Sequence, residues 1–249
     1  MPELLAAGGW GLLAGSALLG GALLGYLIRI PAGIVAAVMA FGSGVLLSAV
    51  SFELIAEAHE RGGLLPTAAG ALGGAVLYTL ANVVLARRGA RHRKRSGDQQ
   101  PSETEQSGSG TAIALGALLD GVPESMVIGT SLLGGGSVSA VTVAAVFISN
   151  VPEGLSSASG MRRAGRSARY VFALWAGIAL ISGGAAMLGY GLLGGVPEEV
   201  LAAITALAGG AILAMIADTM IPEAFESAHL WNGIITVTGF LTAFALSHL

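Results

Sequence analysis

The chain has 249 residues, of which 54% are apolar and only 11% are charged, and its mean hydropathy is +0.77. This composition excludes a soluble domain and indicates an integral membrane protein. The chain has no cysteine, which excludes disulfide bonds and thiolate metal ligands. Its formal net charge is −3, and no nucleic-acid partner is expected.

The apolar residues form runs of about 20 to 27 residues. A helix that rises about 1.5 Å per residue needs about 20 residues to cross a hydrocarbon core of about 30 Å, so each run predicts one transmembrane helix. Eight runs are present, at 4–28, 33–58, 64–86, 111–134, 137–160, 168–194, 198–222 and 230–248. A transmembrane β-barrel would instead show segments of about ten residues with alternating polarity. We therefore predict an all-α integral membrane protein with eight transmembrane helices in a single domain, 1–249.

Eleven of the twelve basic residues follow the first, third or fifth run, and only Arg61 lies on the opposite side. Because basic loops stay in the cytoplasm, this distribution predicts a multi-pass protein of the cell (plasma or inner) membrane with both termini outside. The longest connection, 87–110, has a basic start and is then polar and rich in Ser and Gly. We predict a disordered cytoplasmic loop there, between helices 3 and 4.

Two stretches of the sequence recur within the chain. The segment 120–125, DGVPES, matches 149–154, SNVPEG, and both V-P-E cores lie near the middle of consecutive runs. The segment 51–60, SFELIAEAHE, likewise matches 217–226, ADTMIPEAFE, in runs of opposite direction. The pattern predicts an inverted repeat in a 3+2+3 arrangement, in which helices 1–3 are related to helices 6–8 and helices 4 and 5 form a symmetric pair. Such repeats are typical of transporters, whose substrate site lies where interrupted helices meet.

Acidic residues interrupt several apolar runs, notably Asp120, Glu124, Glu153 and Asp218. A charge at the bilayer centre costs about 2.5 to 3.5 kcal/mol on insertion scales. No basic residue lies within these runs, so we expect protons or a bound cation to neutralise the acids. Asp120 and Glu124 share one helix face, and Asn150 shares a face with Glu153 on the next helix. The two helices together predict a site of carboxylate and amide groups.

Glycine is abundant, with 39 residues, and the pairs at 11 and 15, 21 and 25, and 70 and 74 have GxxxG spacing. This spacing lets helix backbones approach closely in a membrane. We interpret it as packing within one bundle, and a homodimer stays an open alternative.

The paired V-P-E motifs, the eight predicted helices with a long loop after the third, and the SFELIAEA and IPEAFE segments together resemble the ZIP (Zrt- and Irt-like protein) family of metal transporters. The resemblance extends over essentially the whole chain. It implies transport of divalent transition-metal cations into the cytoplasm by alternating access, with Zn²⁺ as the first expectation and Fe²⁺ or Mn²⁺ also open. The metal is then the transported substrate, no prosthetic group is implied, and the protein is not an enzyme.

The family pattern places metal ligands around the two Pro-Glu motifs. Glu124, Asn150 and Glu153 match it directly, and Asp120 matches by position, where many members have histidine. Ser149 stands where members often have histidine or glutamine. The resemblance therefore implies one principal metal site formed by these five side chains. Without imidazole the ligands are harder, which favours Mn²⁺ or Fe²⁺ relative to the family's usual Zn²⁺.

Acids near the ends of the repeated segments predict a transport pathway. Glu53 and Glu57 lie where metal would enter, and Asp218 and Glu223 lie where it would leave. The open alternative is a proton-coupled or organic-cation secondary transporter that uses the same carboxylates without metal. An intramembrane metalloprotease is not supported, because the sequence has no HExxH motif.

Overall fold

The computed structural model describes residues 2–94, 100–133 and 140–248, and regular structure in these ranges is helical throughout. Ten α-helices are present in them: α1 Pro2–Leu27, α2 Ala32–Ala49, α3 Ala56–Gly62, α4 Leu64–Leu85, α5 Ser109–Thr130, α6 Ala140–Arg163, α7 Ala168–Leu193, α8 Glu198–Met215, α9 Ile221–Ala228 and α10 Asn232–Leu246. Short π-helical segments join α2 to α3, extend α4, and join α8 to α9, at Val50–Ile55, Ala86–Ala90 and Ile216–Met220. The predicted all-α class is confirmed.

Six helical segments of the described chain are long and apolar enough to cross a membrane. They are Pro2–Leu27, Ala32–Gly62, Leu64–Ala90, Ser109–Thr130, Ala168–Leu193 and Glu198–Leu246. The last of these is broken at His229, whose φ of 45° lies outside the helical region. The structure thus contains several apolar helices compatible with a multi-pass membrane protein, as the hydropathy predicts.

The helices pack as closely associated pairs: α1 lies against α6 and α7, α5 against α7, α4 against α8, and α2 against α10. Glycines make these contacts possible. A Cβ built on Gly74 would overlap the backbone carbonyl of Leu207, and one built on Gly44 would overlap that of Thr236. The GxxxG pairs of α1 and α4 therefore serve helix packing inside the bundle, which is the interpretation that their spacing favoured.

The outer faces of several helices are apolar. On α4, for example, Leu65 is 80% exposed and Leu72 is 69% exposed. Water would make such a surface an aggregation hazard, whereas lipid tails are as apolar as leucine. Several polar and charged side chains lie instead in the interior of the bundle.

Two of the π-helical segments occupy equivalent places in the repeated sequences. Val50–Ile55 begins one residue before the first repeated segment and Ile216–Met220 begins one residue before the second, at positions 50 and 216. This separation of 166 residues is the offset that aligns SFELIAEAHE with ADTMIPEAFE. Single π-helical turns inside α-helices are rare and occur often at functional sites. The two segments therefore agree in backbone geometry as well as in sequence.

Candidate functional site

The V-P-E motifs lie inside two continuous helices, because Pro123 is within α5 and Pro152 is within α6. Their acidic neighbours point into the bundle: Asp120, Glu124 and Glu153 are each less than 5% exposed. A buried carboxylate needs a compensating partner, since desolvation of an ion costs several kcal/mol. The partners of these acids therefore define what the site can do.

A lysine from outside the helices joins the two motifs. Lys94, in the connection between α4 and α5, is 1% exposed. Its Nζ lies 3.0 Å from Glu153 Oε2 and 3.3 Å from Asp120 Oδ2. Burial lowers the pKa of the Lys94 ammonium, but Asp120 and Glu153 outweigh this effect and the net pKa is raised. The ammonium is therefore held in its charged form between the carboxylates of α5 and α6.

Arg93, the preceding residue, binds Asp120 with two nitrogens. Its Nε donates to Asp120 Oδ2 at 3.0 Å and its Nη2 donates to Oδ1 at 3.0 Å. Two residues of α4 complete the arrangement: the hydroxyl of Tyr78 donates to Asp120 Oδ1 at 2.8 Å, and Asn82 Oδ1 accepts from Arg93 Nη1 at 2.8 Å. The two hydrogen bonds from Arg93 to the Asp120 carboxylate are of the charge-assisted, bidentate kind, which is among the strongest that an arginine makes.

These contacts correct one sequence-based prediction. The absence of basic residues within the apolar runs implied that protons or a bound cation neutralise the acids. In the structure, Arg93 and Lys94 neutralise Asp120 and Glu153 from the neighbouring connection. For Asp120 and Glu153 the prediction was wrong because it counted only charges inside each run, whereas a long side chain next to a helix end reaches the interior.

The remaining predicted ligands are also buried. Glu124 is 2% exposed, and its Oε1 has no hydrogen-bond partner among the described residues. It lies within electrostatic range of Glu153, Lys94 and Asp120. Asn150 donates through Nδ2 to the carbonyl of Ala14 at 3.0 Å, which fixes the orientation of its amide.

Ser149 is 1% exposed and donates to the carbonyl of Val146 at 2.9 Å, within its own helix. In the described part of the chain, no group of three or more His, Cys, Asp or Glu side chains is arranged to hold a metal ion. The metal-ligand roles assigned from the resemblance therefore stay predictions.

The connection that carries the two basic residues is fixed at several points in its described portion. Gln100 is 4% exposed and donates from Nε2 to the carbonyls of Arg93 and Ser157, at 3.0 and 3.1 Å. The carboxylate of Glu103 accepts from the amides of Gly108 and Gly110, at the start of α5. The disorder predicted for 87–110 stays a prediction, and residues 95–99 of that loop lie outside the described ranges.

Backbone hydrogen bonds from Gly110 and Gly108 lower the pKa of Glu103, assisted by Arg166. The Nη2 of Arg166 lies 3.5 Å from Glu103 Oε1 and donates to Ser109 Oγ at 2.8 Å. Arg166 follows α6, so these contacts tie the connection to the end of the helix that carries Glu153. A negative charge at the first turn of α5 also suits the helix dipole.

The four predicted pathway acids lie in different surroundings. Glu53 and Glu57 are half-buried and line a cleft with Thr130, near the end of α5. Glu223 is half-buried and within electrostatic range of both Arg93 and Lys94. Asp218 is exposed. The structure thus brings Glu223 towards the basic pair, while Glu53 and Glu57 approach α5 at a separate position.

No protein-family model matches the chain, and no curated protein matches it. The fold and the site nevertheless define a class. The chain is an all-α protein with several helices able to span a membrane. Among the residues that the structure describes, three carboxyl groups and two basic side chains are buried at the paired Pro-Glu motifs.

Proposed function

We propose that the protein transports divalent transition-metal cations across the cell membrane into the cytoplasm. Zn²⁺ is the first candidate, and Fe²⁺ and Mn²⁺ are the others. The substrate site comprises Asp120, Glu124 and Glu153 with Asn150 and Ser149, between α5 and α6. Transport takes place by alternating access, as in the ZIP family that the sequence resembles.

The observation that carries this proposal is the charge of the site. Asp120 and Glu153 already hold two positive charges, from Arg93 and Lys94, inside the bundle. A divalent cation has the same total charge and prefers oxygen ligands of this kind. Buried ionisable groups within membrane helices are costly and mark ion pathways. The site is thus matched in charge to a divalent metal ion.

The arrangement of the helices supports the transporter proposal. Six segments meet the length and apolarity required of a span. The proposed eight spans in 3+2+3 order additionally count α6 as a span and divide Glu198–Leu246 at His229. The exchange of α1 with α7, α2 with α8, α4 with α10 and α5 with α6 maps α1–α6 onto α5–α7 and α4–α8 onto α2–α10, and maps α1–α7 onto itself. This relation is the one expected of an inverted repeat.

The placement of the acids supports a path on each side of the site. The cleft containing Glu53 and Glu57 is the proposed entrance, and Asp218 and Glu223 belong to the proposed exit. The basic loops then face the cytoplasm and both termini lie outside.

A second candidate is a proton-coupled transporter of another cation, and Glu124 favours it. Its Oε1 is buried without a hydrogen-bond partner among the residues described. A carboxyl in that position is suited to carry a proton, because the neutral form avoids the desolvation of a charge. In that case the carboxylates serve an organic or monovalent cation and metal is not moved.

Uptake into proteoliposomes distinguishes the two candidates. We expect wild-type protein to take up ⁶⁵Zn²⁺ or Mn²⁺, and Glu124→Ala and Glu153→Ala to lose at least about 90% of that flux. Glu60→Ala is the matched control, because it removes an acid that is exposed on α3. The metal proposal fails if wild-type protein gives no divalent flux, or if flux survives both substitutions in the site.

A further inference from the structure

The structure assigns a second role to the connection between α4 and α5: Arg93 and Lys94 are a tethered substitute for the substrate, and a divalent cation must displace them to enter the site. We call Arg93 and Lys94 together the plug, and Gln100 secures it. This inference rests on the proposed function, because it concerns occupancy of the same carboxylates.

Geometry makes the plug and a metal ion mutually exclusive. Lys94 Nζ stands 3.0 Å from Glu153 Oε2 and 3.3 Å from Asp120 Oδ2, between the two helices. A transition metal bound by both carboxylates would need oxygens at about 2.0 to 2.2 Å in that same space. Both oxygens of Asp120 are also occupied by Arg93. Metal therefore cannot use either carboxylate in this way while the plug is in place.

Charge determines which cations can displace the plug. Removal of Arg93 and Lys94 leaves Asp120 and Glu153 as two uncompensated negative charges in a buried site. An isolated buried charge costs several kcal/mol, so the vacated site needs two positive charges in return. A divalent cation supplies both, whereas one potassium ion supplies half. The plug thus adds selectivity for divalent charge to whatever selectivity the ligands provide.

The attachment of the plug permits its removal. Arg93 and Lys94 are not part of a membrane-spanning helix but follow the π-helical segment Ala86–Ala90. Gly89 in that segment has a φ of 98°, a conformation that favours glycine and ends the regular helix. Gln100 holds the plug through two hydrogen bonds to backbone carbonyls. Release therefore breaks contacts at one end of the bundle without unfolding a transmembrane helix.

Limited trypsinolysis of wild-type protein in nanodiscs tests displacement. Trypsin requires access to a basic side chain, and Lys94 is buried while Arg91 in the same connection is exposed. We measure cleavage after Lys94 relative to cleavage after Arg91 by mass spectrometry, which corrects for any effect of metal on the protease. Addition of Mn²⁺ or Zn²⁺ is expected to raise the ratio at least about fivefold. Potassium chloride at matched ionic strength is expected to leave it unchanged.

Flux measurements test whether the plug and the transported metal compete for the same carboxylates. The double variant Arg93→Gln, Lys94→Gln lacks the competing charges, so its apparent affinity for the transported metal should rise by about tenfold or more. The reason is that apparent affinity scales with the fraction of protein whose site is accessible. Arg91→Gln removes one positive charge from an exposed position in the same connection and should behave as wild type.

The results separate this inference from the proposed function. If metal flux depends on Glu124 and Glu153 but neither the cleavage ratio nor the double variant responds, the plug inference is wrong and the function stands. If divalent cations expose Lys94 but no flux occurs, the displacement is supported and the transport function fails. If divalent cations produce neither cleavage nor flux, both are wrong.

Discussion

Replacement of Asp120 by asparagine removes the carboxylate on which three hydrogen bonds and the contact with Lys94 converge. Asp120 accepts from Tyr78, twice from Arg93 at 3.0 Å, and lies 3.3 Å from Lys94 Nζ. Removing one member of a buried ion pair costs about 3 to 5 kcal/mol, because the other charge is left uncompensated. We expect Asp120→Asn to lower the free energy of unfolding by about that amount. This loss of stability is an upper limit, because in the variant Arg93 and Lys94 can move into water and regain their hydration.

A double-mutant cycle with Arg93→Gln gives the sharper test. In Asp120→Asn alone, the charge of Arg93 loses its partner. The double variant that combines Asp120→Asn with Arg93→Gln removes this charge and should therefore be more stable than Asp120→Asn alone. Directly contacting residues typically show coupling of about 0.5 to 3 kcal/mol. Denaturant unfolding in detergent measures each variant, and the exposed Asp218→Asn is the control, expected within about 0.5 kcal/mol of wild type. Additive effects, or an Asp120→Asn variant as stable as wild type, would refute the buried ion pair.

Two further predictions concern packing and pH. Gly74→Ala should destabilise the bundle by about 1 to 3 kcal/mol, because a Cβ there overlaps the carbonyl of Leu207 and the helices must separate. Gly73→Ala is the control. Its Cβ would have no atom within 4 Å, so this variant should be neutral or stabilising in the same unfolding assay. Hydrogen exchange of the Gly110 amide tests its hydrogen bond to the Glu103 carboxylate. The pKa of Glu103 is lowered in the folded protein, so this stabilising contact is fully present above the ordinary pKa near 4.5 and is lost as the pH falls through the folded pKa. Protection corrected for the intrinsic exchange rate should therefore fall on acidification below about pH 4.5 in wild type. It should stay level in Glu103→Gln, and equal profiles in both proteins would contradict the assignment.

The helical class could be predicted from sequence because the membrane imposes a simple length rule. Every backbone polar group must be satisfied inside the hydrocarbon, so an apolar run of about 20 residues has few conformations open to it. The ends of helices were less predictable. The run predicted at 33–58 continues as helix to Gly62 and ends at Gly63, whose φ of 75° lies outside the helical region.

The acidic half of the site could also be predicted, because a carboxylate in an apolar run is conspicuous. The basic half could not be predicted by the same criterion, since Arg93 and Lys94 lie in a polar connection that resembles a linker by composition. A signal was nevertheless present on α4. Tyr78 and Asn82, four residues apart, place two polar side chains on one face of an otherwise apolar helix, and both contact Arg93. A polar face directed inwards requires a partner.

Tyr78 and Asn82, which contact Arg93 on α4, can be compared with the equivalent positions of α10 in the proposed repeat. Gly74 of α4 packs on Leu207, and Gly239 of α10 packs on Phe41. Phe41 and Leu207 are 166 residues apart, which is the offset of the repeat, so these two contacts are equivalent. Gly74 then corresponds to Gly239, and positions on α4 and α10 are related by an offset of 165. At that offset Tyr78 corresponds to Ala243, which has no polar group to hold a guanidinium. Asn82 corresponds to Ser247, so α10 offers a hydroxyl but neither the phenol nor the amide that contacts Arg93 on α4. In the described part of the chain the groups that hold the plug therefore lie at one end of the bundle, and if the basic loops face the cytoplasm, that end is the one through which metal would leave.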